Sequence, residues 1–339
     1  LDTTGAHLWQ THTIIQLFRE ILDIVAPHVA LITETNVPHK DNISYFGDGY
    51  NEAQLVYNFA LPPLILHTIQ TGNSEKLTDW AKTLENPSPV ATFFNFLDSH
   101  DGIGVLGVKG ILEDSEITAM AEKVKEHGGQ RSYRRAENGQ DVPYELNITS
   151  YSAMNNENSN ENEEIQICRY LAARAIQLSI TGIPGIYLHG LLGSKNDIEA
   201  INRGEEKRNI NRNILDEESL IENISNPETT TYKVSRRLSS LIHKRTQEKA
   251  FHPQAKQKVF LINNKLFSLI RTSIDQKENI LVLINISNSE ISMSFDLSAY
   301  SLQGEYVTNI IDKQEYTIFE KNLHLNFKAY EIKWLKFTS

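Results

Sequence analysis

FFNFLDSHDG, residues 93–102, places two carboxylates, Asp98 and Asp101, and the imidazole of His100 directly after a run of apolar residues. A short apolar run of this kind predicts a strand buried in a parallel sheet. In a parallel α/β layout the carboxyl ends of the strands face the ligand. The stretch therefore predicts an α/β fold whose functional site lies where this strand ends.

A second stretch, VALITETNVPH at residues 29–39, has the same construction and delivers Glu34, then Asn36 and His39, from the end of an apolar run. Carboxylates from the ends of two strands suit the chemistry of a glycosidic bond, where one handles the proton and the other faces charge on the sugar. By residue type alone, Glu34 is equally well a loop carboxylate paired with a lysine. His39 either lines a sugar site or packs under a loop, and the same two readings apply to Tyr45 and Tyr57.

Composition restricts the function further. The 339 residues carry a formal net charge of -10, and no basic cluster is long enough to indicate nucleic acid as a partner. The single cysteine, Cys168, excludes an internal disulfide and fits a reducing compartment. No signal peptide and no membrane-spanning apolar run are evident, so we expect a cytoplasmic protein. The chain opens on Leu1 and Asp2 rather than Met, and we expect a fragment of a longer chain.

Strand and helix patterns alternate up to about residue 247. Residues 11–26 are expected to form a helix, residues 29–33 a strand buried on both faces, and residues 182–188 another buried strand. Residues 128–147 are polar and turn-rich, and residues 155–164 have no apolar side chain to bury. The first helix is expected to bury one apolar stripe, made of Ile14, Leu17, Phe18, Ile21, Leu22 and Val25.

From Lys258 onward the apolar period becomes two, which predicts an antiparallel β domain. The predicted fold class is α/β, the C-terminal portion of a (β/α)8 TIM barrel followed by an antiparallel β-sandwich domain. We place the partial catalytic barrel at residues 1–252 and the all-β domain at residues 253–339. Only four strand ends are visible in the first part, counting Leu1-Asp2, whereas a barrel needs eight.

Several stretches, taken together and in order, resemble the alpha-amylase clan of retaining glycosidases, glycoside hydrolase family 13. More narrowly, the sequence is similar to the sucrose phosphorylase subfamily, on the branch that includes glucosylglycerate phosphorylases. The family's first three barrel strands, its early Asp and His sugar-binding motif and its inserted B domain have no counterpart in this chain. The stretches that carry the resemblance are VALITETNVPHKDNISYFGDG, NEAQLVYNFALPPLIL, FFNFLDSHDGIGV, PYELNITSY, ARAIQL, TGIPGIYLHGLLGSKND and NINR.

The resemblance implies roles for individual residues. Glu34 matches the general acid/base, and Asp101, after His100, matches the carboxylate that stabilises the transition state and binds sugar hydroxyls. Asp2 stands in the place of the nucleophile. The resemblance places four more residues around the acceptor and phosphate subsites, namely Tyr144, Glu145, His189 and Arg212.

The implied activity is that of a retaining α-glucoside phosphorylase. A carboxylate attacks the anomeric carbon, an acid protonates the leaving oxygen, and inorganic phosphate then resolves the glycosyl-enzyme to give glucose 1-phosphate. The expected partners are a small α-glucoside and inorganic phosphate, and neither a metal nor a cofactor is expected. Oligomeric state is open.

Three readings of the function stay open at this point: a phosphorylase, a hydrolase or transglycosidase of the same family, and a non-catalytic remnant with open strand edges. Arg212 either binds phosphate or pairs with Glu205 or Asp216. The acceptor is fructose, glycerate, glycerol or another small molecule. A carboxylate-bearing acceptor would need a further cation, for which the sequence offers Arg203, Lys207 and Arg208.

Overall fold

The computed structural model describes residues 7–135, 139–157, 159–300 and 302–337, so Asp2 lies outside the described residues. The helices are α1 (Trp9–Val25), α2 (His39–Asn42), α3 (Leu61–Thr71), α4 (Glu75–Ala81), α5 (Asp114–Glu126), α6 (Ser150–Met154), α7 (Glu163–Ser179), α8 (Leu188–Leu192), α9 (Ile198–Asn202), α10 (Glu217–Ser225) and α11 (Thr230–Gln247). None of the helices in the described ranges is long and apolar enough to cross a membrane.

The strands belong to three sheets. The strands are β1 (Ile32–Thr33), β2 (Leu55–Tyr57), β3 (Thr92–Asn95), β4 (Ile103–Gly104), β5 (Gln130–Arg135), β6 (Asp141–Asn147), β7 (Ile183–Pro184), β8 (Lys256–Val259), β9 (Leu266–Thr272), β10 (Asn279–Asn285), β11 (Ile291–Asp296), β12 (Tyr306–Asn309), β13 (Glu315–Phe319), β14 (Asn322–Phe327) and β15 (Ile332–Phe337).

The first sheet is parallel and has the order β1-β2-β3-β7. The centres of its two inner strands are buried, since Val56 and Phe93 belong to the core that the sheet shares with the helices. Helix α3 begins with Pro62 and Pro63 in its first turn and ends at Gly72, whose φ of 64° is left-handed. The parallel arrangement brings the carboxyl ends of β1, β2 and β3 to the same edge.

Both outer strands of this sheet are open. Among the described residues, β1 pairs only with β2 and β7 pairs only with β3. The prediction of strands buried on both faces is wrong here, because β1 and β7 have a neighbouring strand on one side only, and Ile32 and Ile183 remain 49% and 37% exposed. Four parallel strands with two open edges are half of what an eight-stranded barrel requires.

Helix α1 forms where the sequence predicts it, but its apolar stripe is not buried. Leu17 and Phe18 are 52% and 51% exposed, and Ile14, Ile21 and Val25 are exposed as well. The prediction of a buried stripe is therefore wrong for this chain. The buried residue of the helix is Arg19, whose guanidinium donates to the carbonyl of Val29 and to Gln54.

This exposed face allows a first prediction. Replacing Leu17 and Ile21 together by lysine is expected to lower the fluorescence of a hydrophobic dye such as ANS and to reduce self-association of the chain, because contiguous apolar patches attract both. Half-exposed positions carry little packing energy, so stability should change by about 1 kcal/mol or less.

The control for that prediction is Leu64→Ala, since Leu64 is fully buried and its truncation should cost roughly 2–5 kcal/mol without lowering dye binding. Dye titration, sedimentation and urea unfolding provide the measurements. Undiminished dye binding by the double lysine variant would contradict an exposed α1 face.

The second large sheet is antiparallel and continuous, with the order β11-β14-β13-β12-β15-β10-β9-β8. Side chains alternate between its faces. On β10, Ile280 and Val282 join the core shared with the helices, whereas Leu281 and Leu283 join a second core within the curled sheet. The partial barrel followed by an antiparallel β domain is confirmed as the fold class, and the proposed boundary at residues 252 and 253 stays a prediction that is consistent with β8 starting at Lys256.

Candidate active site

The carboxyl edge of the parallel sheet opens into a pocket of about 310 Å³. Glu34 reaches it from the end of β1, and Asp101 reaches it from the loop after β3. Phe59 and Phe96 form part of the wall. The two strand ends singled out in the sequence therefore meet at one pocket. Glu34 is exposed to the pocket, and none of the ion pairs within the described residues involves it.

A hairpin brings further polar groups to this pocket. Residues 128–147, which the sequence marks only as polar and turn-rich, contain β5 and β6, and β6 pairs with the short strand β4. Gly104 lies opposite Glu145 in that pairing. A Cβ on Gly102 would come within 2.7 Å of both Glu145 Cγ and the carbonyl oxygen of Leu146, so this approach needs glycine. The hairpin thus places Tyr144 and Glu145 in the pocket wall.

Two arginines pair with Asp101 and Glu145, two of the three carboxylates of the pocket. Asp101 Oδ1 lies 2.9 Å from Arg208 Nη1 and 3.0 Å from Arg212 Nη2. Arg208 also donates through Nη2 and Nε to the two carboxylate oxygens of Glu145, at 2.9 and 3.2 Å. These carboxylates raise the pKa of Arg208, through the hydrogen bond with Glu145 above all. Arg208 is one of the three cations, with Arg203 and Lys207, that the sequence offers without assigning a position.

Arg212 binds residues of the loop that follows β3, and not the acidic residues near it in the sequence. Its Nε donates to the carbonyl oxygen of His100 at 2.7 Å, while its Nη2 donates to Asp101. Glu205 instead pairs with Arg203, and Asp216 caps α10, so the reading in which Arg212 pairs with either of them is wrong. His100 is largely exposed at the rim, with Nε2 3.5 Å from Asp101 Oδ1.

His189 lies in a second, much smaller cavity next to the pocket, which it shares with Asp98 and Tyr187. Burial lowers the pKa of His189, and its Nδ1 is 3.0 Å from Ser194 Oγ. The structure therefore does not bring His189 into the pocket of Glu34 and Asp101. Its role at the acceptor or phosphate subsite stays a prediction.

Asp98 belongs to a buried network under the site. The fully buried Arg174 pairs with it and donates to Gln177 Oε1 at 3.0 Å, and the Tyr170 hydroxyl donates to the carbonyl of Gly190 at 2.7 Å. Burial alone would lower the pKa of Arg174, but the nearby Asp98 and Tyr170 raise it overall. The network ties the end of β3 to α7 and to the start of α8.

The structure decides between the two readings of three further residues. His39 packs edge-on against Trp80, with ring centroids 5.5 Å apart, and also faces Phe93. Tyr45 is buried and stacks on His12. None of His39, Tyr45 and Tyr57 lines the pocket, and the Tyr57 ring packs against two aromatic residues of its wall, Phe59 and Phe96.

His39 gives a second prediction. Burial lowers its pKa from 6.5 to about 4, so the unfolded chain takes up the proton more readily than the folded one. The stabilising effect of the neutral ring is complete above pH 6.5 and is lost as the pH falls towards 4. We expect a loss of about 2 kcal/mol between pH 7 and pH 5 from this group.

Urea unfolding at both pH values, with His39→Phe beside the unmodified chain, measures that contribution. The phenylalanine ring fits the same aromatic surroundings and cannot be protonated, so its stability should fall less on acidification. The exposed His28 is the control, and His28→Phe should keep the pH dependence of the unmodified chain. Parallel losses in the His39→Phe variant and the unmodified chain would contradict the assignment.

Within the described ranges, no group of three or more His, Cys, Asp or Glu side chains is arranged to hold a metal ion. The functional groups that line the pocket include three carboxylates, the guanidinium of Arg208, the hydroxyl of Tyr144 and the imidazole of His100. Such groups transfer protons, stabilise positive charge on a sugar and bind oxyanions.

Comparison with known proteins assigns the family. No family model matches the chain. A glucosylglycerate phosphorylase of Allomeiothermus silvanus is 45% identical over 276 residues, which cover 81% of this chain and 49% of the relative. A glucosylglycerate phosphorylase of Spirochaeta thermophila is 40% identical over 340 residues, 99% of this chain and 57% of the relative. The chain belongs to glycoside hydrolase family 13, in its sucrose phosphorylase group.

Solved structures of family 13 show the same fold. The crystal structure of sucrose 6F-phosphate phosphorylase from Thermoanaerobacter thermosaccharolyticum matches with a TM-score of 0.64 at 24% identity, over 91% of this chain and 55% of that one. AmyP in complex with maltose matches with a TM-score of 0.67 at 11% identity, over 96% and 61%. The chain spans about half the length of the curated relatives it matches.

Proposed function

We propose that this chain carries the acid/base half of a retaining α-glucoside phosphorylase, which transfers a glucosyl group between a small acceptor and inorganic phosphate to give glucose 1-phosphate. The observation that carries the proposal is the pocket in which Glu34 and Asp101, from two strand ends, lie with Arg208 and Tyr144. In this proposal Glu34 is the general acid/base, Asp101 stabilises the transition state, and Asp2 is the nucleophile.

Phosphate as the acceptor is supported by the cations at the pocket. A phosphate oxyanion requires guanidinium and hydroxyl donors near the glycosyl-enzyme, and Arg208, Arg212 and Tyr144 are of the right types. Three curated relatives, at 40–45% identity, are named glucosylglycerate phosphorylases. His100, Glu145 and His189 complete the proposed subsites. A cytoplasmic location is part of the proposal and rests on the single cysteine.

The test is the release of glucose 1-phosphate from sucrose, glucosylglycerate and glucosylglycerol, with and without inorganic phosphate. This chain is assayed beside a chimera in which the amino-terminal half of the Spirochaeta thermophila relative completes the barrel. We expect phosphate-dependent release by the chimera and little or none by the chain alone, because the open sheet edges leave the sugar site half built.

Each of the other readings has its own outcome in this assay. Release of glucose that does not depend on phosphate would identify a hydrolase or transglycosidase and remove the phosphate role of Arg212. A chimera that is folded by circular dichroism but releases neither product would identify a non-catalytic remnant. Turnover by the chain alone at roughly 1–1000 per second would show that the half barrel suffices.

A further inference from the structure

The sequence offers three cations for a negatively charged acceptor, and the structure separates them. Arg203 pairs with Glu205 on the surface, and Lys207 donates to the carbonyl oxygen of Arg131. Neither lines the pocket that contains Glu34. Of the lysine and arginine side chains in the described ranges, only Arg208 lines this pocket.

The guanidinium of Arg208 is only partly occupied. It has five N–H donors, two of which bind Glu145, and one more is used at most by Asp101. At least two N–H groups therefore remain, and the side chain is 39% exposed. Glu145 binds through Nε and Nη2, which fixes the plane of the fork and leaves its outer end available to a ligand.

We propose that Arg208 is the specificity residue of the acceptor subsite, where its free donors bind an oxyanion that is either the carboxylate of a hydroxy-acid acceptor or inorganic phosphate. This inference rests on the proposed function and specifies its substrate class. Glu145 holds the guanidinium in place and, as the neighbouring negative charge, limits the affinity for the anion.

Charge explains why one arginine decides between acceptors. The pocket contains three carboxylates, Glu34, Asp101 and Glu145, which accept hydrogen bonds from the hydroxyl groups of a neutral polyol but repel an anion. Arg208 offsets that repulsion. An acidic acceptor such as glycerate should therefore depend on Arg208 far more strongly than glycerol does.

The experiment is a titration of this chain followed by NMR of the arginine Nε–H groups, with D-glycerate, inorganic phosphate and glycerol as the three probes. The Arg208 signal is assigned from the variant Arg208→Lys. We expect both anions to shift it and glycerol to leave it unchanged. A response to glycerate alone or to phosphate alone supports the site and assigns it to that anion.

Two variants distinguish ligand binding from a merely structural ion pair. Arg208→Lys keeps the charge but loses the fork, so the anion should bind roughly tenfold more weakly. Glu145→Gln keeps an oxygen that accepts from Arg208 but removes the competing charge, so the anion should bind severalfold more tightly. Arg203→Gln is the matched control and should bind like the unmodified chain. Circular dichroism confirms that each variant is folded.

An unmoved Arg208 signal, an equal response to glycerol, or weaker anion binding by Glu145→Gln would overturn the inference. These readouts do not depend on turnover. If the chimera releases no glucose 1-phosphate while Arg208 binds the anions, the proposed function fails and the anion site stands. If the chimera shows phosphate-dependent turnover but the Arg208 signal does not respond, the proposed function stands and the anion site fails.

Discussion

Replacing Glu34 by Gln in the barrel-completed protein is expected to lower turnover of α-glucosides with poor leaving groups by about 10²–10⁴-fold. The variant should leave a substrate with an activated leaving group, such as a nitrophenyl glucoside, almost unaffected in the glycosylation step. Glu34 reaches the pocket from the end of β1, next to the loop that carries Asp101. An amide cannot protonate a leaving oxygen, but an activated leaving group departs without that proton.

Steady-state kinetics on a matched pair of substrates, one with a poor and one with an activated leaving group, measures this difference. Loss of an acid/base residue lowers the turnover of the first much more than that of the second. Asp101→Asn is the informative comparison, because loss of transition-state stabilisation should slow both substrates. Glu85, which is exposed and lies away from the pocket, provides the control Glu85→Gln with unchanged kinetics. Equal losses on both substrates in Glu34→Gln would rule out the acid/base role.

The strand ends of the site could be predicted from the sequence because one physical rule covers them. Apolar runs that end in a carboxylate, as at residues 29–34 and 93–98, give parallel strands whose carboxyl ends share one edge. The structure accordingly places Glu34 and Asp101 at one pocket. What the rule leaves undetermined is which groups approach from the loops.

Arg208 shows why the loops were harder to predict. Within residues 203–212 the cations alternate with acidic and amide side chains, and charge alone makes Arg203, Lys207 and Arg208 equivalent. The different positions of these three cations depend on the 3₁₀ helix at Lys207–Asn211 and on the hairpin that offers Glu145 as a partner. The sequence predicts the strands of that hairpin only weakly, because they carry charged side chains on an exposed face.

Helix α1 shows a different limit. The spacing of Leu17, Phe18 and Ile21 correctly predicts a helix and identifies its apolar face. Periodicity does not say whether another element covers that face. Here the face is exposed beside the open edge at β1, which is where a fuller barrel would continue.

The buried pair of Arg174 and Asp98 gives the largest expected effect on stability. Replacing Arg174 by Met is expected to destabilise the chain by roughly 3–5 kcal/mol, because it leaves the carboxylate of Asp98 with a hydrogen bond from Ser150 but without its cationic partner. Arg174 is fully buried, and its loss also removes donors from Tyr170 and Gln177. Urea unfolding followed by circular dichroism measures the change.

Arg237 provides the matched control, since it makes a two-pronged ion pair with Glu164 at the surface and Arg237→Gln should cost about 1 kcal/mol or less. If the cost at Arg174 arises from the uncompensated charge, then adding Asp98→Asn to Arg174→Met should recover part of the lost stability. Additive losses in that double variant would instead assign the cost to packing. The same network holds the loop at the end of β3. If the double variant regains stability and still binds anions at Arg208, the network supports the fold and does not set the chemistry of the pocket.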